Sequence, residues 1–406
     1  KLTNMEMKEM EERIMQYDFE TVVDRREAGA EKWEMIRRKD GTFPEGIVPL
    51  TVADMEFALA PEIRDGLKKV LDTEVMGYTC MNEAYKAAVC SWMVRRHGWK
   101  IEKEWICPSN GVVPALGAAV RAFGGENCGV IIMPPIYPPF FGASREKGSH
   151  TVECPLINKG GRYEIDFEAF EKAAAAPENK IFLLCSPHNP VGRVWSEEEL
   201  RKLGDICLKH DLLVVSDEIH FDLIMPGCTH TVFTKAVPEL QKRTVVCTAP
   251  SKTFNIAGMQ TSNIIIADPD MREAFRKELH GGPSFLGFRA CEAAYTGAEP
   301  WLDECLQVIK KNSDLVDGFL KERLPWAVAS PLEGTYLKWV DFTRSGLSKE
   351  ELEERMVSHG LYLDEGYIFG KEGEGFERIN IACPEQILGE ALRRLADALG
   401  DIQVKE

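Results

Sequence analysis

The sequence has no apolar run approaching the about 18 residues that a membrane-spanning helix needs, so no integral helical anchor is expected. It has no basic excess. Lys and Arg number 49 against 65 Asp and Glu, and the net charge of -16 opposes both a nucleic-acid backbone and an anionic lipid surface. It has no CxxC pair, and its 12 cysteines, spread from Cys80 to Cys383, do not cluster with the eight histidines at metal-ligand spacing. Free thiols, no metal site and a reducing cytoplasmic setting are therefore expected. No GxGxxG opens a helix after a strand, which argues against a nicotinamide dinucleotide. Repeats and low-complexity stretches are absent. The first 16 residues are charged throughout, without a signal-peptide core, and read as a polar helical extension.

What remains is a chain of 406 residues, 44% hydrophobic, long enough for two domains. From Pro61 helices dominate, and Ala84, Ala87, Ala88, Trp92 and Val94 suggest the apolar stripe of one of them. Trp105 to Cys107 read as a short strand that runs into Ser109-Asn110-Gly111, with Pro114 expected as the first helical residue ahead of Ala115 to Phe123. Strand, glycine turn and helix N-terminus together form a candidate anion site. A second apolar strand, Val130 to Met133, ends among four prolines that hold Tyr137.

The middle third repeats the pattern. Ile181 to Cys185 form a buried strand that stops at Ser186-Pro187 and turns through Asn189-Pro190. Ser196 and Glu199 spell a capping box, and Leu200, Leu203 and Cys207 line one face of the helix that follows. Residues 212 to 215 (LLVV) lead to Ser216-Asp217-Glu218, with His220 just beyond. Strand, helix, strand at this spacing is a βαβ crossover in a parallel sheet with both faces covered. Two more strands lie on either side of Lys252, so Asn189, Asp217 and Lys252 all fall at strand ends, where ligands of such sheets bind.

A lysine held against apolar neighbours loses its proton easily and can trap a carbonyl. Pyridoxal 5'-phosphate held by Lys252 would need a carboxylate at its ring nitrogen, supplied by Asp217, and a donor at its phenolic oxygen, supplied by Asn189. Its phosphate would take the N–H groups of Gly111, Val112 and Val113 and the hydroxyl of Ser251, and Tyr137 could stack on its ring.

With SPHNPVGRVWSEEEL, VVSDEIHFDL, APSKTFNIAGMQ and GFERINIACP, the chain resembles the fold-type I pyridoxal-phosphate enzymes of the class I/II aminotransferase group. Within that group SDEIH, VADMEF, the Gly77-Tyr78 pair and Asp24 to Arg26 look like the MalY/PatB-type cystathionine β-lyases. The resemblance implies an α/β fold: a large domain over 57–299 with a mostly parallel seven-stranded-type sheet covered by helices on both faces, and a smaller α+β domain from 17–56 and 300–406. It implies Lys252 as the cofactor lysine, Asp217 at the ring nitrogen, His220 beside the cofactor, and Arg378 as the clamp for a substrate α-carboxylate. Tyr78 would reach the phosphate of a neighbouring subunit, in a homodimer with shared active sites. Asp54 and Phe141 are the other expected substrate positions, Phe141 standing where a second tyrosine is frequent. Two departures concern the phosphate: Ala249 replaces a hydroxyl, and no arginine occurs from Thr253 to Met271, where Gln260 stands instead.

The activity implied is β-elimination from a thiol-bearing amino acid, giving pyruvate, ammonia and a thiol. An aminotransferase using the same cofactor is the alternative, and a cofactor-binding interaction module a remote one.

Overall fold

The computed structural model describes residues 15–40 and 46–404, so the extension expected over 1–16 lies, except for its last two residues, outside the described residues. Strands follow one another as β1 (Ile106–Ser109), β2 (Gly129–Ile132), β3 (His150–Glu153), the hairpin β4 (Ile157–Lys159) and β5 (Arg162–Glu164), β6 (Asn179–Cys185), β7 (Leu213–Asp217), β8 (Thr244–Thr248) and β9 (Ser262–Ile266). Then come β10 (Val328–Ala329), β11 (Leu337–Asp341), β12 (Asp364–Glu365) and β13 (Phe376–Asn380). Seven of them form one sheet in the order β1-β9-β8-β7-β6-β2-β3. The pairings from β8 through to β3 are parallel; β9 alone runs against its neighbours, antiparallel to both β8 and β1.

The middle of the sheet is buried on both faces because the centres of its inner strands are apolar, the polar side chains falling at strand ends and on the edge strand β3. Alternation along each strand sends neighbours to opposite sides. Ile131, Phe182, Leu184 and Val214 pack with Phe170 and with Leu200, Leu203 and Cys207 of the helix Glu197–Lys209. Val130, Ile132, Ile181, Leu183 and Val215 pack with Ala115, Leu116 and Ala119 of the helix Val112–Phe123. Each such side chain contributes about 1.5–3 kcal/mol of burial. The capping box at Ser196 and Glu199 is complete, with both reciprocal hydrogen bonds present. Gly204 of the same helix is a close-approach position: a Cβ there would lie 2.5 Å from the methyl carbons of Val237.

Two local expectations are corrected. The helix Glu83–His97 buries Tyr85, Ala88, Val89, Trp92 and Met93, while Ala84, Ala87 and Val94 are exposed. Tyr85 sets that phase, because its hydroxyl donates to Asn263 Oδ1 at 2.7 Å and its ring meets Phe288 edge-on. The helix expected to open at Pro114 begins two residues earlier, at Val112, which leaves Pro114 in the first turn, where its missing N–H costs nothing.

The second sheet, β10-β11-β13-β12, is antiparallel and is drawn entirely from residues after 327. The long helix Glu299–Arg323 and the amphipathic helix Glu385–Leu399 contribute to its core, and Trp339 stacks on Phe376 at 5.1 Å. Residues 50 to 56 attach to this part: Leu50 accepts from the N–H of Asn380, and Glu56 donates its N–H to Ala382. No helix of the described residues is long and apolar enough to cross a membrane.

Candidate active site

Lys252 sits in the short helix Pro250–Thr253 that follows β8. Its Nζ donates to the carbonyl of Ala53 over 2.6 Å. Burial pulls its pKa down to about 8; Asp54 and Asp217 oppose that effect, while Arg378 and Lys32 add to it. The neutral, nucleophilic amine is therefore far more accessible near physiological pH than for an ordinary lysine.

Asp217 is the last residue of β7, in register with Cys185 of β6 and Cys247 of β8. Its carboxylate accepts only the N–H of Ile219, at 3.1 Å, among the described residues. Burial between two thiols raises its pKa to about 7, with Glu218 adding to the rise and Lys252 opposing it. Such a carboxylate requires a cationic or proton-bearing partner to stay ionised.

Asn189 lies in the turn after β6. Its Oδ1 accepts from Arg378 Nη1 at 2.9 Å, which leaves its Nδ2 as a donor, and its carbonyl accepts from the N–H of Tyr137 at 3.1 Å. Arg378 comes from β13 and is buried, with Asp364 Oδ2 held by Nε at 3.1 Å and by Nη2 at 2.5 Å and with Phe369 under its guanidinium at 4.7 Å. Five guanidinium N–H groups less these three contacts leave two donors, one on each terminal nitrogen, the number a carboxylate takes.

Lys252, Asp217 and Asn189 line a cavity of about 160 Å³. Its far wall is the N-terminus of the helix Val112–Phe123, whose N-cap, Gly111, supplies no side-chain hydrogen bond, so the first-turn N–H groups are left for a ligand. Ser251, Gln260, Thr261 and Ser262 add polar groups around it, and Lys252 is the only cation on the cavity wall among the described residues.

The cavity thus unites Gly111, Val112, Val113, Tyr137, Asn189, Asp217, His220, Ser251 and Lys252 of the expected set. Arg378 stands directly behind Asn189. Three expected residues stand elsewhere. Phe141 is off the cavity wall, half-buried against the apolar cluster that includes Ile136 and Phe140 and close to Gly370. Asp54 turns its carboxylate to Arg25 at 2.7 Å and Lys32 at 2.9 Å. Tyr78 is fully exposed on this chain.

Several residues escaped the sequence reading. Tyr336 donates its hydroxyl to the same Ala53 carbonyl that receives Lys252, at 2.7 Å. Asp364 could have been found only through its pairing with β13. Thr261 and Ser262 follow Gln260 closely enough that a search for hydroxyls in place of the missing arginine would have reached them.

Pyridoxal 5'-phosphate fits this set on observations of the site itself. Among the described residues, His220 Nδ1 and Asn110 Oδ1 are buried without a hydrogen-bond partner, and the helix N-terminus lacks a side-chain cap. Burial keeps His220 neutral, with its pKa well below the usual imidazole value, so it can serve a ligand without adding charge.

The aminotransferase class I and II family model matches residues 45–395. Cystathionine beta-lyase PatB of Bacillus subtilis (strain 168) is 44% identical over 357 residues, 87% of this chain and 92% of that protein. The crystal structure of cystalysin from Treponema denticola, described as containing a pyridoxal 5'-phosphate cofactor, superposes with a TM-score of 0.94 at 48% identity, covering 96% of this chain and 100% of that one. The PLP-bound C-S lyase from Staphylococcus hominis superposes with a TM-score of 0.89 at 32% identity, over 95% and 99% of the two chains.

Proposed function

The chain belongs to the aminotransferase class I and II family, and from that premise we propose that it is a pyridoxal-phosphate-dependent carbon–sulfur β-lyase acting on cystathionine-type amino acids. The observation that carries the reading is the meeting of Lys252, Asp217 and Asn189 at one cavity, with Arg378 hydrogen-bonded to Asn189 behind its wall, in a chain alike to such lyases over nearly its whole length.

The cofactor, when bound, supplies an electron sink for negative charge at the substrate α-carbon. The protein does the rest. Arg378 takes the substrate carboxylate with its two remaining donors, and Asn189 keeps the guanidinium in place. Asp217 holds a proton on the ring nitrogen through its charge. Lys252, as the neutral amine, removes the α-proton; the Cβ–S bond then breaks with its electron pair on sulfur, and Lys252 returns the proton to the departing thiolate. The aminoacrylate left behind hydrolyses to pyruvate and ammonia.

Tyr78 completes the reading as a homodimer with shared sites: fully exposed in the run 71–80, whose residues are all exposed, it would reach the phosphate of a second copy. We take 57–299 as the cofactor-binding domain and 17–56 with 300–406 as the smaller one. A cytoplasmic location is supported by the twelve free cysteines.

The test is cofactor-loaded protein with L-cystathionine, assayed for pyruvate and thiol together, beside a tube with L-alanine and 2-oxoglutarate assayed for glutamate. Pyruvate and thiol in step, lost in Lys252→Ala, are expected. Glutamate without thiol would make the protein an aminotransferase.

A further inference from the structure

Four charged side chains that no expectation brought together lie against the turn that receives Lys252. Lys32, in the helix Glu31–Asp40, is completely buried. Its Nζ is 2.9 Å from Asp54 Oδ1 and 2.6 Å from Glu56 Oε1, and it donates to the Asp54 carbonyl at 3.3 Å. Arg25 closes the box from the other side, 2.7 Å from Asp54 Oδ2 and 2.9 Å from Glu56 Oε1, with a contact to the Met55 carbonyl. Two cations and two anions thus surround residues 54 to 56, one residue from the Ala53 carbonyl on which Lys252 rests.

The turn cannot easily move away from this box. Asn380 Nδ2 donates to the carbonyls of Val52 and Asp54, at 2.7 and 2.6 Å. Asn255 brackets Met55, accepting from its N–H at 2.9 Å and donating to its carbonyl at 3.0 Å. Val52 itself is held at φ +54°, a left-handed conformation that a β-branched residue adopts only when its surroundings impose it. A rigid turn fixes the distance between the box and the Lys252 nitrogen, which is what an electrostatic setting requires.

We propose that Asp54 and Lys32 are positioning residues that set the protonation of Lys252 from opposite sides, Asp54 favouring its charged nitrogen and Lys32 offsetting that effect. Asp54 is accordingly not a substrate contact. The other groups facing Lys252 are Asp217 and His220 beyond β7, Arg378 of β13 and the Tyr336 hydroxyl; Glu56 and Arg25 face the box. Burial would raise the Asp54 carboxyl, yet Lys32 and Arg25 hold it below its ordinary value, so it stays an anion through the working range. His220 is neutral there and contributes no opposing charge. The proposal rests on Lys252 being the cofactor lysine.

The experiment compares holoenzyme of the wild type with Lys32→Met, Lys32→Arg and Asp54→Asn. Two midpoints are read for each: the pH at which the cofactor absorbance titrates, and the acid limb of the kcat profile for cystathionine. Removing the cation moves both midpoints up by about one pH unit, removing the anion moves them down by a similar amount, and the charge-keeping Lys32→Arg stays near wild type. Loss of packing alone moves all variants alike. Shifts in one common direction, or none in either, overturn the proposal. Should Lys32→Met not fold, Arg25→Gln serves in its place: it removes the other cation paired with Asp54 and raises both midpoints, opposite to Asp54→Asn. A wild type in which borohydride fixes no cofactor at Lys252 would instead refute the lyase reading itself.

Discussion

Thr253, the residue after Lys252, donates its hydroxyl to the buried carboxylate of Asp222 over 2.7 Å. The same carboxylate receives Trp92 Nε1 at 3.1 Å and pairs with His97 Nε2 at 2.8 Å. Asp222 lies five residues beyond Asp217, so one short stretch presents a carboxylate to the cavity and a second to the hydroxyl of the residue next to the lysine. Asp222→Ala leaves three buried donors unpaired, and Thr253→Val leaves one acceptor short. We expect losses of about 3 kcal/mol or more for the first and about 1 kcal/mol for the second, read from urea unfolding of the holoenzyme.

Asp217 gives a stability signature of its own. Its pKa rises from 3.8 to about 7 on folding, so the unfolded chain releases this proton first, and the group's contribution to stability is lost as pH rises from about 4 to 7. In cofactor-free protein, the wild type should lose on the order of 2 kcal/mol relative to Asp217→Asn between pH 5 and 7.5. Urea midpoints of both proteins at the two pH values check this; parallel behaviour of the two would contradict it.

Arg378 offers two donors in a plane fixed by Asp364 and Phe369. Lysine at this position keeps the charge but not the fork. Arg378→Lys should raise KM for cystathionine about 10- to 100-fold while cofactor content stays at the wild-type level, measured by steady-state kinetics and absorbance.

The proposed sharing of active sites makes a prediction about mixtures. Tyr78→Ala and Lys252→Ala are each expected to be nearly inactive, yet a co-expressed equal mixture should recover about a quarter of the wild-type rate, because half the dimers then carry one intact site. Purified mixed protein assayed for pyruvate decides it, and no recovery would place Tyr78 outside the partner's site.

The residues legible in the sequence were those whose signals are local. An apolar run that stops at Asp217, a lysine beyond the run Thr244 to Val246, and a glycine turn ahead of Val112 each declare a strand end or helix start within a few positions. The capping box at Ser196 is equally local. What escaped depended on partners distant in the chain. Lys32 stands in EKWEMIRRKD, where it reads as one more surface charge, and only Asp54 and Glu56 reveal it as buried. The phase of the helix Glu83–His97 was missed because alanines satisfy either face, and Asn263, 178 residues later, decides which one Tyr85 takes. The reversed direction of β9 leaves no mark in its apolar run Ile264 to Ile266.

The register that places Cys185 and Cys247 on either side of Asp217 also bears on how such a protein survives its own product. In the presence of an oxidant such as dissolved oxygen, a thiol set free at the cavity can be joined to an accessible cysteine as a mixed disulfide, a reaction that runs through the thiolate. Burial pushes both cysteines well above their ordinary pKa, and nine of the twelve are buried. The buried thiols are thus kept out of this chemistry, and Cys80 and Cys228, the exposed pair, are where mixed disulfides should accumulate when the product thiol builds up in aerated solution.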